Sequence, residues 1–304
     1  MTNNIIDFSV IIPCKNEIKY IDQVIESVFA QDAFIDCSGE VFIIDGGSSD
    51  GTAERVAFFC ANRRNLILLE NQFGTVSPAL NIGIDASSGR YIIRMDVHAH
   101  YPPNYISSLI HHMEKNPCTD NVGYAIDTTP PNDSIKAHSI AHILSHQYGI
   151  GSALFRLRIT SPQVVDTVPF GCFRREIFER LGKFDTELIR NQDDEFNGRI
   201  VNANGRIILL PDMRVIYFPR ETYSKLWAMY YQYGMFKPLV LAKLRRPTTV
   251  RQLVPPLFVA GLLLLIFLSI LGLSYSIVTL FMVVFLYILI SIFTTKGPFS
   301  TCIF

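Results

Sequence analysis

The stretch Tyr91-Ile92-Ile93-Arg94-Met95-Asp96-Val97-His98-Ala99-His100-Tyr101-Pro102-Pro103 decides how this chain is read. Its first residues are apolar and β-prone, and the prolines that close it cannot continue a central strand. A buried strand over Tyr91 to Met95 is therefore expected to end at Asp96 and His98. Residues i and i+2 on extended backbone point to the same side. A carboxylate and an imidazole would then face one spot at a strand's C-terminal end, where ligands bind in open α/β sheets. Two such ligands suit a divalent ion whose other positions are filled by phosphate and water. An aspartate capping the next turn, with both histidines exposed, is the other reading of the same residues.

The chain on the N-terminal side repeats this pattern. Phe8 to Pro13, Val41 to Ile44 and Leu66 to Leu69 are short apolar runs expected to be buried strands. Apolar residues at helical spacing follow the first, from Ile18 to Phe29, and a helix is expected to begin near Thr52. Ser77-Pro78 has the form of a cap followed by proline at the first helical position. Strands alternating with helices in this way predict an α/β fold with a parallel, doubly wound sheet. Glu17, Asp45 and Asp96 each fall just past a strand end, so all three are expected at one sheet edge. The run after Asp45 (Gly46-Gly47-Ser48-Ser49-Asp50-Gly51) is neither a GxGxxG fingerprint nor a phosphate-binding P-loop.

Composition excludes other classes. The 304 residues carry 27 basic and 27 acidic side chains, so no global field suggests a nucleic-acid partner. Six cysteines are scattered without CxxC spacing, as expected of thiols in a reducing compartment. The N-terminus lacks the basic and apolar regions of a signal peptide, which predicts a cytoplasmic catalytic part. Cys302, third from the end, does not form a prenylation box.

Further along, Asp127 to Asp133 reads as a loop. His138, His142 and His146 are spaced to share one helical face, compatible with zinc or with a solvated or interfacial face. A break is expected at Gly149–Gly151. Val164 to Gly171 is strand-like, and Arg175 to Leu181 is a short helix stopped by Gly182. Asn191-Gln192-Asp193-Asp194-Glu195-Phe196 reads as a helix start rich in acids, which the macrodipole favours. It also offers a general base, with crowded like charges raising the proton affinity of one member. Ile207 to Leu210 and Arg214 to Phe218 are expected as two strands.

Tyr223, Leu226, Trp227, Tyr230 and Tyr231 form an aromatic stripe at helical spacing. Lys237, Lys243, Arg245, Arg246 and Arg251 follow with no acid among them. Val254 to Thr295 then carries no charge at all, about twice the roughly 20 residues that span a bilayer. Leu271 to Ser276 divides it, which predicts a transmembrane hairpin. Basic residues before it, and Lys296 after it, place both ends in the cytoplasm, with the aromatic helix on the inner leaflet. The expected parts are residues 1–220, catalytic; 221–252, an amphipathic, basic interface segment; and 253–304, the hairpin with a short tail.

Several segments taken together carry a family likeness: Pro13-Cys14-Lys15-Asn16-Glu17, IDGGSSDGT from Ile44, ALNIGIDASSGRYIIRMDVHAHYP from Ala79, DTVPFGCFRREIFERLGKFDTEL from Asp166, NQDDEFNGR from Asn191 and YGMFK from Tyr233. In this order they resemble the family-2 inverting glycosyltransferases of GT-A fold, and more narrowly the membrane-anchored enzymes of succinoglycan-type exopolysaccharide assembly. The resemblance implies that Pro13, Asn16, Glu17, Asp45 and Asp96 line the pocket of a UDP-sugar. It implies that Asp96 and His98 hold Mg2+ or Mn2+, and that Asp193 is the catalytic base. Gln192 stands where relatives usually carry Glu, Gly46 where many carry a second Asp, and Gln232 where Arg is frequent. The implied acceptor is a polyprenyl diphosphate-linked saccharide, the implied donor sugar a hexose such as glucose added in β linkage, and the implied location the bacterial inner membrane. Transfer to polyprenyl phosphate itself, and a nucleotide-sugar-binding scaffold without turnover, are the rival readings.

Overall fold

A computed structural model describes residues 6–150, 153–245 and 250–294. Arg246, Lys296 and Cys302, part of the expected break at Gly149–Gly151, and the side chain of Arg251 lie outside the described residues. The first half alternates as the apolar runs predict. Strand β1 (Phe8–Cys14) leads to α1 (Ile21–Phe29) and the short α2 (Ala33–Asp36). Then come β2 (Gly39–Asp45), α3 (Thr52–Cys60), β3 (Leu66–Glu70), α4 (Val76–Ala86) and β4 (Tyr91–Arg94). Helix α1 starts later than its periodicity suggested, and Ile18 stays partly exposed in the preceding turn. The N-cap of α4 is Thr75; Ser77 is buried, and its hydroxyl donates to the Leu188 carbonyl at 2.7 Å.

The second half is more mixed. Its elements are β5 (Ala99–His100), α5 (Tyr105–Lys115), β6 (Asn121–Thr128), α6 (Ile135–Ile143), α7 (Gln147–Ile150), β7 (Gln163–Val164), β8 (Cys172–Arg174), α8 (Glu176–Leu181), α9 (Gln192–Asn202) and β9 (Ile207–Tyr217). Among the described residues the sheet has nine strands in the order β3-β2-β1-β4-β8-β6-β9-β5, with β7 also on β9. Strands β1 to β4 pair in parallel, while β8 runs antiparallel between β4 and β6. The mostly parallel, doubly wound sheet expected from the sequence is thus a mixed one, parallel over β1 to β4 and joined by antiparallel pairs beyond them.

Three sequence expectations change. Asp127 and Thr128 belong to β6 rather than to a loop, because they pair with Ile216 and Tyr217. The strand expected over 164–171 is confined to Gln163–Val164; the paired strand begins at Cys172. The two strands expected after Ile207 are one strand, with its register shifted where Leu210 and Arg214 meet consecutive residues of β6.

Alternation along β1 splits the core. Phe8, Val10 and Ile12 pack with α1 and α5 on one face, while Ile11 packs with Phe42, Ile44, Ile92 and helices α4, α8 and α9 on the other. Helix α10 (Tyr223–Leu244) returns across the domain. Val240 and Leu244 bury against Leu188 in a small separate cluster. Helices α11 (Val254–Ile270) and α12 (Ser274–Thr294) form the expected hairpin, turning at Gly272 with φ of 84°. Among the described residues no helix is long and apolar enough to cross a membrane. The 17 residues of α11 fall below the roughly 20 that a span needs. Of the transmembrane hairpin expected over 253–304, the described residues show two helices packed on each other, with large side chains such as Leu257, Phe267 and Phe281 exposed.

Candidate functional site

Strand register sets the site. Cys14 pairs with Asp45 and Asp45 with Glu70, so the strands end level at one edge. Strand β4 stops at Arg94, and Asp96 and His98 sit in a turn rather than on extended backbone. They converge for a different reason from the i, i+2 alternation. The Asp96 carboxylate accepts from the His98 backbone N–H at 2.9 Å, closing an Asx-type turn. The buried Tyr101 hydroxyl accepts from the Asp96 N–H at 2.7 Å. Phe218 N–H donates to the His98 carbonyl at 3.2 Å, which ties this turn to the end of β9.

Glu17 arrives from the loop after β1, and its carboxylate meets His98 Nε2 at 3.0 Å. That hydrogen bond raises the His98 pKa against the opposing effect of burial, with further help from the charges of Asp96 and Glu17. A carboxylate on one ring nitrogen fixes the tautomer and orients the ring, as it does for imidazoles that bind metals. Asp96, His98, Glu17 and Pro13 line one cavity of about 200 Å³ with Gly46, Asn71, Gly74, Arg190 and Arg220.

Asn16 and Asp45 play a different geometric part. Asn16 N–H donates to Ser48 Oγ at 2.8 Å, and its side-chain oxygen accepts from Ser49 N–H at 2.8 Å. Glu17 N–H donates to Thr52 Oγ1 at 2.8 Å. These bonds latch the β1 loop onto the β2 loop. Asp45 is buried and accepts from the backbone N–H of Gly47 at 3.0 Å and Ser48 at 2.9 Å, from Ser48 Oγ and from Cys14 Sγ. Gly47, at φ of 75°, permits the reversal that aims those amides back. The carboxylate of Asp45 thus shapes the rim from within. Burial, and then the charge of Asp45, push the Cys14 thiol far up, which keeps it protonated.

Asp193 lies in the first turn of α9, entered through Asn191 in the left-handed conformation at φ of 62°. The crowding expected of three consecutive acids does not occur. Each finds its own cation: Asp193 with Arg94, Asp194 with Lys237 at 2.8 Å and Glu195 with Arg199 at 2.8 Å. Arg94 is the last residue of β4, two before Asp96, so it brings the α9 acid beside the Asp96 turn. Its Nε is buried without a hydrogen-bond partner. Asp193 and the Asp96–His98 turn are therefore brought together through Arg94. Asp193 remains about 39% exposed.

Sequence reasoning passed over the cations. Arg94 lies within the run that marks β4 and carries no motif of its own. Arg190 and Arg220 carry no motif, and their place depends on α9 and β9 returning to the sheet edge. Among the described residues His138, His142 and His146 do not come together as a three-ligand cluster. Helix α6 ends at Ile143, so His146 leaves the shared face, and its ring stacks on His142 at 5.6 Å. Among the described residues no group of three or more His, Cys, Asp or Glu side chains is placed to hold a metal ion. Any ion at Asp96 and His98 would have two protein ligands, leaving positions for phosphate and water. A carboxylate with a free oxygen and an imidazole on one cavity wall fit that role. Cys14, Cys37, Cys60, Cys118 and Cys172 are free thiols.

Comparison with known proteins agrees with this architecture. The chain is 27% identical over 248 residues to succinoglycan biosynthesis protein ExoA of Rhizobium meliloti, covering 81% of this chain and 73% of that protein. It is 27% identical over 242 residues to a dolichyl N-acetyl-alpha-D-glucosaminyl phosphate 3-beta-D-2,3-diacetamido-2,3-dideoxy-beta-D-glucuronosyltransferase of Methanococcus voltae, covering 77% and 74%. Among solved structures, a mannosyltransferase from Pyrobaculum calidifontis in complex with GDP-Man and Mn2+ superposes with a TM-score of 0.60 at 20% identity, covering 82% of this chain and 67% of that one. TarS of S. aureus in complex with UDP superposes with a TM-score of 0.58 at 17% identity, covering 81% and 68%. The last two likenesses establish the GT-A-like fold. Residues 9–182, from the first strand through the Asp96 turn to the end of α8, match the family described as Glycosyl transferase family 2, so the chain belongs to that family and is a nucleotide-sugar-dependent glycosyltransferase.

Proposed function

We propose that this enzyme is an inverting, metal-dependent hexosyltransferase that moves a sugar, with glucose in β linkage as the leading case, from a UDP-sugar to a polyprenyl diphosphate-linked saccharide. The observation that carries the reading is the Arg94–Asp193 pair beside the Asp96–His98 turn. It sets a partly exposed carboxylate next to a cavity built for a phosphorylated ligand. Arg190 and Arg220 in the cavity wall supply positive charge for a diphosphate. Asp193 takes the proton of the acceptor hydroxyl as that oxygen attacks the anomeric carbon. The bond to the diphosphate breaks on the opposite face, and the nucleoside diphosphate leaves with the electron pair. Arg94 holds Asp193 in place for that step. Asp96 and His98 would hold Mg2+ or Mn2+, which neutralises charge on the leaving diphosphate.

The acceptor reading rests on the relatives and on the C-terminal part. One relative is named for succinoglycan biosynthesis and another for a dolichyl phosphate-linked sugar. Trp227 and Tyr231 of α10 are exposed, and the uncharged α11–α12 hairpin follows. These features support attachment to the inner face of a bacterial cytoplasmic membrane, where a lipid-linked acceptor is held. A UDP-release assay over several UDP-sugars, with a membrane extract as acceptor and mass analysis of the lipid product, tests the reading. A product one hexose heavier on a lipid diphosphate saccharide is expected. A product in which the hexose sits directly on polyprenyl phosphate contradicts the acceptor assignment.

A further inference from the structure

A second, larger cavity of about 400 Å³ lies on the other side of the Glu17–His98 wall. It shares Lys15, Glu17, His98 and Arg220 with the donor cavity but extends to Lys19 in the turn before α1 and Lys225 in α10. Its charge balance is unusual. Lys15, Lys19, Arg220 and Lys225 line it, and none makes an ion pair among the described residues. Of its two acids, Glu17 is engaged by His98. Four cations therefore share one concavity in which Glu221 is the lining acid not already engaged, and a polyanion relieves the excess of positive charge.

Lys225 sharpens the point. It stands three residues after the Thr222 cap, in the first turn of a 22-residue helix. A cation there opposes the positive end of the macrodipole. Anions are favoured at that position.

The surroundings narrow the anion. Tyr20, Tyr217 and Phe218 wall the cavity, and beyond Lys225 the helix continues with exposed Trp227, Tyr230 and Tyr231. A ligand with an anionic head and an apolar tail satisfies both parts. The tail would run over aromatic surface that otherwise faces water, and the head would meet Lys19 and Lys225. The place beside the donor cavity also suits the chemistry. In a diphosphate-linked saccharide the reacting hydroxyl is separated from the diphosphate by intervening sugars, so the diphosphate belongs next to the transfer centre and not within it.

We infer that this cavity, centred on Lys19 and Lys225 and bordered by Arg220, which it shares with the donor cavity, binds the diphosphate head of a prenyl-type lipid, apart from the donor diphosphate. The inference rests on the lipid-linked acceptor reading for its biological meaning, but its test is independent of transfer. The full chain in detergent micelles is titrated calorimetrically with farnesyl diphosphate and, separately, with UDP. Lys19 and Lys225 are changed together to Gln; both are exposed and neither lines the donor cavity. Farnesyl diphosphate affinity is expected to fall roughly tenfold or more, as the loss of charge-assisted contacts predicts. UDP affinity is expected to stay within twofold, which also reports an intact fold. Farnesol, with the tail but no head, should bind far more weakly than farnesyl diphosphate to the wild-type chain.

Unchanged farnesyl diphosphate binding in the double variant overturns the assignment, as does its absence in the wild type. A parallel loss of UDP affinity, or displacement of farnesyl diphosphate by UDP, also overturns it, because the cavity would then serve the donor. If the double variant behaves as expected and yet no lipid-linked saccharide accepts sugar, the site stands and the proposed acceptor falls.

Discussion

Asp193 has two tasks that substitution can separate. It is the counter-charge of Arg94, which is largely buried, and it is the proposed base. Asn keeps an oxygen that can accept from the guanidinium, whereas Ala leaves Arg94 without a partner. Removing one member of a buried pair costs about 3 kcal/mol, somewhat less here because Asp193 is partly exposed. Asp193→Ala should therefore lower the melting temperature well below that of Asp193→Asn; equal melting temperatures would show that the pair carries no structural weight. A second prediction concerns Asp96. Its carboxylate closes the turn onto His98 N–H while lining the proposed donor cavity. Asp96→Ala should remove the dependence of UDP binding on Mn2+. Equal calorimetric affinities with and without the ion in the wild type would contradict the metal assignment.

At the scale of elements, α10 acts as a strap over the loop that leads into α9. Lys243 reaches Asp185 at 2.7 Å, Arg190 donates to Gln232 at 2.8 Å, and Asn191 donates to the Tyr233 carbonyl at 2.9 Å. Leu188, Val240 and Leu244 seal the contact. Leu188→Ala should cost about 2–5 kcal/mol and lower turnover while UDP binding persists, because the loop it anchors carries Asp193. Unchanged turnover would mean that α9 is held by its own packing. This strap is also where the sequence was hard to read. Strands β1 to β4 were legible because each is a short, continuous apolar run, largely buried in β1, β2 and β4 and half-buried in the edge strand β3. Strand β6 begins Asn121-Val122-Gly123, an interrupted pattern that becomes a strand only through β8 and β9 on either side. Likewise Pro211 to Met213 interrupt β9 and suggested two strands, while pairing with β6 resumes beyond the irregularity. Asp96 and His98 stood out because they end a legible strand. Arg190 and Arg220 did not, since only the return of distant elements brings them to that edge.

For the molecule as a whole, the catalytic fold and the α11–α12 hairpin divide the labour. The hairpin presents apolar side chains with no charge along its length, and α10 presents aromatic ones. A chain ending before Val254 should bind UDP like the full protein but float poorly with liposomes and transfer little sugar to a lipid-linked acceptor. Equal liposome flotation of both chains would remove the hairpin from membrane attachment. The claim on which these parts converge is that an acid delivered by α9 performs the proton transfer beside the Asp96 turn. The most direct measurement is turnover of Asp193→Asn with calorimetric donor binding measured on the same preparation. Turnover lowered by about 10² to 10⁴-fold with donor affinity nearly intact is the predicted result; wild-type turnover from the Asn enzyme would contradict it.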